Sequence, residues 1–328
     1  MTIVLVKEGE TLRAILPGRL ICQKIKGIPF NVFSYAGNGH SPKYGIISQK
    51  NDKDAIKTSI SAIWERLYEK IDMAILESID QASPTYHALT HLELPFLSLK
   101  VEHSFESPAF SLPEGWNAYF KTRSKSFRDR LHNGINRSKR LGQLEYDIVT
   151  RINSAERLIE RLKLLDSKTW QHENKTGLFS TDENGRFYTD LIKTFGNTGK
   201  LVLCFVRLDG KDIAYSLNVI CGTMGFILKT GYDPEYNKCS PGLLNWAYLG
   251  EWMASKGIIE IDMLGDVDDY KGAWETHRRR HSNYWLVNRK TIKGRFLLLE
   301  MWAYNFLKKT HFKKIQSRHN KEKIEKLS

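Results

Sequence analysis

No run of apolar residues in this 328-residue chain approaches the ~20 that a helix needs to cross a bilayer; the stretches at 296–299 and 258–261, the latter holding Glu260, stop far short. No transmembrane helix is therefore predicted. A secretory leader is not expected either, because the apolar start at 1–6 has no basic segment ahead of it and ends at Lys7-Glu8, so the expected compartment is the cytoplasm. Cysteine is scarce. Cys22, Cys204, Cys221 and Cys239 show neither close pairing nor metal-ligand spacing, which argues against a disulfide scaffold or a zinc site, and no metal is expected. Cys204 and Cys221 lie in apolar strand-like segments and read as small core residues, while Cys239 reads as a plain loop cysteine. Short-period repeats are missing too. With 41% apolar and 27% charged residues the composition is that of an ordinary globular protein, which excludes disorder and fibrous architectures, and the length suits two domains.

Acidic residues are outnumbered, giving a net charge of +13 that is concentrated in two places. Residues 121–140 carry a local +7 and residues 288–328 a local +9, leaving the rest of the chain at −3. Each patch invites an anionic partner.

Short strands are predicted at 3–6, 12–16, 20–25 and 30–34, divided by Gly and Pro. Ile56, Ile60, Ile63, Trp64 and Leu67 then recur at helical spacing over 54–70, and 71–76 reads as a strand packed on that helix. The stretch 104–115, with two prolines and several small residues, reads as a linker or a crossing segment. A basic helical pattern follows over 116–141, interrupted at Asn133-Gly134 and basic on more than one face. Asn153 with Glu156 has capping-box spacing, so a helix is expected from 153, lined by Leu158, Ile159, Leu162, Leu165 and Trp170, with a second helix over 186–195. The period then changes. Residues 201–208, 213–221 and 224–232 read as antiparallel strands joined by Asp209-Gly210 and Gly222-Thr223. Ser240-Pro241-Gly242 reads as a helix start with Ser240 at the N-cap, Gly257 as its stop, and 258–263 as a strand parallel to 224–232. A strand at 284–288 and a terminal helix from 293 complete the reading.

A parallel pair joined by a helix brings that helix's N-terminus, with its bare N–H groups and positive dipole end, to the end of strand 224–232. An anion such as the pyrophosphate of coenzyme A would sit there, with Gly242 allowing close backbone approach and Lys238 adding charge. Beyond 258–263 come Asp262, Gly265 and the run Tyr270-Lys271-Gly272-Ala273-Trp274. Asp262 could take a proton from an acceptor, Tyr270 could return one to a leaving thiolate, and Lys271 could stabilise developing negative charge. The competing meanings are a simple helix cap for Ser-Pro-Gly and an Asp–Lys pair closing a turn.

Tyr232-Asp233-Pro234-Glu235-Tyr236, Ser240-Pro241-Gly242-Leu243-Leu244, Asp262, Gly265 and Tyr270-Lys271-Gly272-Ala273-Trp274, together with Asp212-Ile213-Ala214 after Gly210 and the arginine-rich segment 126–141, resemble the CelD-like group of GNAT acyltransferases, associated with cellulose and other polysaccharide synthesis. The sequence is more distantly similar to the Fem aminoacyltransferases, which build peptidoglycan bridges and carry a comparable Phe-Lys where Tyr270-Lys271 stands. The resemblance covers about 110–290 well and the first half more loosely. It implies an α/β fold of the α+β mixed-sheet kind with tandem GNAT-like domains, the first expected to be incomplete: a half-domain at 1–105, the acyltransferase domain at 106–290, and a basic helix and tail at 291–328. Implied catalytic residues are Asp262, Tyr270 and Lys271. The acyl-coenzyme A donor would be held by Tyr232, Lys238, Ser240, Pro241, Gly242 and Leu243, and the substrate by Arg123, Arg128, Arg137 and Trp274. Common GNAT enzymes use Q/R-x-x-G-x-G/A for the pyrophosphate, and here 237–242 matches only at Gly242.

The expected function is acyl-coenzyme A-dependent N- or O-acyl transfer to a small-molecule or glycan-linked acceptor of the cell envelope. An anionic ligand is expected at the basic helix and peripheral membrane contact through the C-terminal helix, although packing of that helix on the sheet is favoured; DNA is not an expected partner. The alternatives are a Fem-like transferase using aminoacyl-tRNA, and a non-catalytic GNAT fold binding RNA or an anionic polymer; base stacking would favour the last, but 121–140 offers only Phe127.

Overall fold

The computed structural model describes residues 1–303 apart from 38–40, 42, 50, 51 and 95, and apart from the side chains of 102–104. The chain divides into two compact units, one of residues 1–105 with 280 onward, the other Glu106–Arg279.

In the first unit, β1 (Thr2–Glu8), β2 (Thr11–Ile25) and β3 (Ile28–Tyr35) form an antiparallel meander. Lys26 and Gly27 both take positive φ, the turn that matches the strands' right-handed twist. The two strands expected at 12–16 and 20–25 are one: Pro17-Gly18 does not break β2, because a Cβ at Gly18 would stand 2.1 Å from the Phe33 ring, and its absence lets β3's ring cross the strand. A two-residue β4 (Ile47–Ser48) pairs with β2. Asp52 caps α1 (Lys53–Leu67) by accepting from Ala55 N. Its face of Ile56, Ile60, Ile63 and Trp64 packs on Leu16, Phe33 and Tyr35. The crossover makes β5 (Met73–Asp80) parallel to β3. After α2 (Pro84–Thr90), the sheet is completed from the far end of the sequence, as residues 281–287 pair antiparallel with β5. Residues 280–288 were expected in the second domain; their ladder to β5 draws them into the first. Residues 292–303 are helical, with Leu297 buried against Phe30, Val32 and Met73, while Phe296, Leu299 and Trp302 are exposed. The lysines at 308, 309, 313 and 314 lie outside the described residues.

Of the two readings of 104–115 the crossing segment holds: it is mostly strand, since β6 (Leu97–Ser111) runs from the first unit into the second and pairs its Ala109, Phe110 and Ser111 with a later strand of the second unit. The basic segment forms two helices, α3 (Trp116–Thr122) and α4 (Lys125–Leu141), divided at Arg123-Ser124, where Ser124 caps α4, and not at Asn133-Gly134. Phe127, Leu131, Gly134 and Ser138 give α4 one buried stripe. Then come β7 (Leu144–Val149), α5 (Ala155–Asp166), α6 (Trp170–Glu173) and α7 (Asp182–Phe195). Ser154, not Asn153, caps α5, accepting from Arg157 N at 3.3 Å. The hairpins β8 (Leu201–Leu208), β9 (Lys211–Cys221) and β10 (Met224–Tyr232) follow, then α8 (Pro241–Ser255) and the short β11 (Glu260–Asp262). Strand order in this unit is β6-β11-β10-β9-β8-β7, antiparallel except for β10 and β11. Alternate residues of β8 feed two cores: Val202, Cys204 and Val206 meet α4 and α8, while Leu201, Leu203 and Phe205 meet α5 and α7. Cys221, expected in the core, is exposed at its hairpin. A one-turn α9 (Asp269–Gly272) precedes β12 (His277–Asn288).

Candidate active site

The site begins where two parallel strands part. β10 and β11 are paired only over Met224–Phe226 and Glu260–Asp262, after which β10 runs on to Tyr232 bonded to β9 alone among the described residues. The other strand leaves because Leu264 and Gly265 both take positive φ, turning the chain away. A register shift between Ile227 and Lys229 places a bulge in β10 beside this gap. Leu228 packs toward the α5–α7 core and Lys229 Nζ donates to Thr176 O at 3.1 Å, so the bulge presents both neighbours on one face.

Past Tyr232, Asp233 accepts from Glu235 N and starts a 3-10 turn, Pro234–Cys239. Ser240 follows in the left-handed region (φ 53°, ψ 52°) and its side chain makes no capping bond. The N-cap role expected for its hydroxyl therefore fails: left-handed backbone points the side chain away from the first turn. Leu244 N reaches Ser240 O, so the helix leaves the N–H groups of Gly242 and Leu243 without an internal acceptor. Pro241 and Leu243 bury their side chains, and only their backbone can serve a ligand. Gly242 is half-buried; a Cβ there would stand 3.4 Å from the Tyr270 hydroxyl and 3.6 Å from the Tyr232 ring. Tyr232, Gly242 and Tyr270 thus meet at the first turn of α8. Lys238 is exposed beside it.

Across the gap, Lys271 Nζ donates to Leu264 O at 2.8 Å and Asp266 O at 3.0 Å. Burial lowers its pKa, opposed by Asp268, Asp266 and Asp262. Gly265 allows this, since a Cβ there would stand 3.3 Å from Nζ. Asp262 is fully buried, accepts from Leu264 N at 2.9 Å, and lies 3.7 Å from Arg279 Nε. A carboxylate sealed in this way fixes the turn that holds Lys271, and the role of general base expected for it is corrected on that ground. The Tyr270 hydroxyl is buried under Trp246 and beside the Trp274 indole, whose N–H can only donate, so the phenolic proton has no acceptor among the described residues, and burial drives its pKa well above the ordinary tyrosine value. The phenol stays protonated and keeps its proton to donate.

Three expected substrate contacts have other duties. Trp274 is fully buried, edge-on to Phe127 with centroids 4.8 Å apart, so it is a core residue and not a substrate contact. Arg123 donates to the carbonyls of Trp274 and Glu275 at 3.1 and 2.7 Å, and Arg128 to those of Lys121 and Arg123. Both guanidiniums pin backbone. Arg137 differs: it is exposed, and its Nη1 donates to Lys238 O at 3.0 Å, directly before the first turn of α8. Two features were missed in the sequence. Gly134 was read as an interruption of the helix, yet its signal was a close approach: a Cβ there would stand 2.7 Å from Cys239 O. The bulge at Leu228 has no signal in the residues themselves. Among the described residues no group of three His, Cys, Asp or Glu could hold a metal ion, and no helix is long and apolar enough to cross a membrane.

Residues 125–272 match the family model of the acetyltransferase (GNAT) domain. No protein of curated function matches the chain. Among solved structures, that of FemX superposes with a TM-score of 0.62 at 11% identity, covering 88% of each chain. L-PGS from Bacillus licheniformis gives 0.51 at 12% identity over 90% of this chain and 86% of its own. A C-terminal domain assigned to a lysylphosphatidylglycerol synthetase of Agrobacterium fabrum gives 0.51 at 10% identity over 88% of each. At these identities the likeness is one of fold, and it extends over both units.

Proposed function

We propose, from the premise that residues 125–272 form a GNAT acetyltransferase domain, that this chain transfers an acyl group from acyl-coenzyme A to an amine or hydroxyl on a cell-envelope or polysaccharide-related acceptor. The observation that carries the reading is the parting of β10 from β11 beside a helix start whose Gly242 and Leu243 N–H groups lack an internal acceptor. Bare N–H groups and the positive end of a fifteen-residue helix suit a diphosphate. The half-buried Gly242, with no Cβ to intervene, fits close approach, so the residues present fit the donor even though 237–242 departs from the common pyrophosphate motif.

In the transfer, the acceptor's nitrogen or oxygen forms a bond to the acyl carbon and the carbon–sulfur bond breaks; the proton lost by the acceptor ends on the thiolate. Lys271, clamped by two carbonyls at the strand-end turn, stabilises the negative charge that develops on the acyl oxygen. Asp262 and Arg279 hold that turn in place. The Tyr270 hydroxyl, kept protonated by burial, stands at Gly242 and so serves the donor's phosphates and not the departing sulfur, a different duty from the general acid expected of it. The acceptor class follows from the resemblance to the CelD-like group and from a structural neighbour named for lysylphosphatidylglycerol, a lipid.

A second reading, with an aminoacyl-tRNA donor, is supported by the exposed cations Lys121, Lys125, Arg130, Arg137, Lys139 and Arg140 of α3 and α4, a local density of positive charge suited to a polyphosphate backbone. A thermal-shift and mass-spectrometric screen of acyl-coenzyme A thioesters tests the first reading. A shift together with acylation of an amine or hydroxyl acceptor is the expected result, and no shift with any thioester would remove it.

A further inference from the structure

We propose that Arg130 and Arg137 form a two-guanidinium clamp that closes over the first turn of α8 and grips the donor's phosphates. The proposal rests on the reading of that turn as the donor site, and it names side chains from a different helix as the phosphate ligands.

Helical geometry sets the pair. Taking Gly134 as the reference on α4, successive residues step by about 100°, so Arg130 and Arg137 both fall within about 60° of it and on the same side. They lie about 10 Å apart along the axis. Gly134 is the point of contact with the turn: its missing Cβ lets the backbone of α4 approach Cys239 O and the Leu244 side chain. Ser138, one turn on, is fully buried, and Phe127 and Leu131 on the same stripe are buried too, so this face of α4 is held inward by its packing. The two arginines therefore flank the segment 238–242. Arg137 is already tethered there through Lys238 O, which uses one of five N–H donors and leaves the others for a ligand. Arg130 is exposed and stands one helical turn before Gly134, on the same side of α4 as Arg137.

A second observation points to a ligand at the same spot. The Tyr270 hydroxyl is buried, the neighbouring Trp274 indole N–H can only donate to it, its own proton has no acceptor among the described residues, and it faces Gly242 at the helix start. Two guanidiniums, two backbone N–H groups and one phenolic hydroxyl bring five donor groups to this turn, the chemistry that recognises phosphate oxygens. Arg123 and Arg128 are not part of it, because both are spent on carbonyls elsewhere. Phosphate of this kind is supplied either by the diphosphate of coenzyme A or by the terminal phosphodiesters of an acylated RNA.

Calorimetry on the full chain separates the outcomes, with coenzyme A, inorganic pyrophosphate and an RNA hairpin ending in CCA as probes. Arg130→Gln and Arg137→Gln are each expected to weaken coenzyme A binding about tenfold and the double variant about a hundredfold. Lys139→Gln, about 140° round the helix from Gly134, is expected to change it less than about twofold. Pyrophosphate should compete with coenzyme A in the parent chain only. Normal coenzyme A affinity in both arginine variants, or an equal loss in Lys139→Gln, overturns the clamp while leaving the donor reading intact. Binding of the RNA hairpin but not coenzyme A, with the same arginine dependence, keeps the clamp and overturns the coenzyme A reading. Failure of all three probes to bind the parent chain removes both. Both arginines are exposed, so an unchanged melting temperature is expected and excludes unfolding as the cause.

Discussion

Replacing Gly134 by alanine sets two effects of known sign against each other, and the structure decides between them. A glycine inside a helix costs about 1 kcal/mol relative to alanine, so in open space the substitution would stabilise the protein by that amount. At 134 the new Cβ would stand 2.7 Å from Cys239 O, a backbone atom that cannot swing aside as a side-chain tip can. Ordinary contact needs roughly 3.4 Å or more, so α4 or the turn before α8 must withdraw by more than half an ångström. Overpacking of this kind costs about 1–3 kcal/mol. With the helix gain subtracted, we expect a net loss of about 1 kcal/mol, read as a lower urea midpoint at unchanged slope. Asn133→Ala is the control: Asn133 is exposed on the same helix, and the alanine should stabilise the protein by about 0.5 kcal/mol. Because the withdrawal would displace segment 238–242, donor affinity should fall in Gly134→Ala and not in Asn133→Ala. A Gly134→Ala protein more stable than the parent by about 1 kcal/mol would refute the close approach, and with it the seating of α4 on the turn.

Lys271→Met should abolish transfer while the melting temperature holds, and Lys271→Arg should keep part of the activity; full turnover in the methionine variant would remove the role given to this ammonium. Burial lowers the Lys271 pKa, so its charge is present at low pH and is lost as pH rises through a value below the ordinary 10.5. The rate should therefore fall on an alkaline limb lying below that value, and Lys271→Arg should lift the limb. Gly242→Asp adds a carboxylate beside the Tyr270 hydroxyl and opposes any anion at the helix start, so calorimetry should show coenzyme A binding lost. Asp166 is buried and accepts from Leu178 N, Phe179 N and the Tyr215 hydroxyl at 3.0, 3.0 and 2.6 Å. Asp166→Ala leaves these donors buried without an acceptor and should destabilise the fold by about 3 kcal/mol or more; a midpoint unchanged in urea would contradict that.

The hairpin strands β8 to β10 and the helix–strand crossover after them were legible, because Asp209-Gly210, Gly222-Thr223 and Pro241 are local signals for local geometry. Gly257 likewise stops α8 in the left-handed region, at φ 78°. What failed depended on partners distant in sequence. Pro17-Gly18 looked like a break, yet Phe33 fills the space that Gly18 leaves. The segment at 104–111 looked as much like a linker as a crossing segment because its ladder partners, Glu260–Asp262, lie some 150 positions away. At the site, the residue types around Gly242 and Lys271 stood out, but their roles did not. Nothing in the sequence says that Asp262 is sealed, that Trp274 is core, or that Ser240 turns its hydroxyl away, since burial and backbone sign are properties of the packed molecule.

The interrupted first unit has a consequence for synthesis. As the chain leaves the ribosome, residues 1–105 emerge first but lack the strand that must pair with β5, and this arrives only with residues 281–287. The inserted unit, complete by Arg279, can close earlier, and its two ends meet where Arg278 lies 3.4 Å from Glu106. The nascent protein thus matures from the inside outward: β5 waits with an open strand edge, exposed to aggregation, until residues 281–287 have been made.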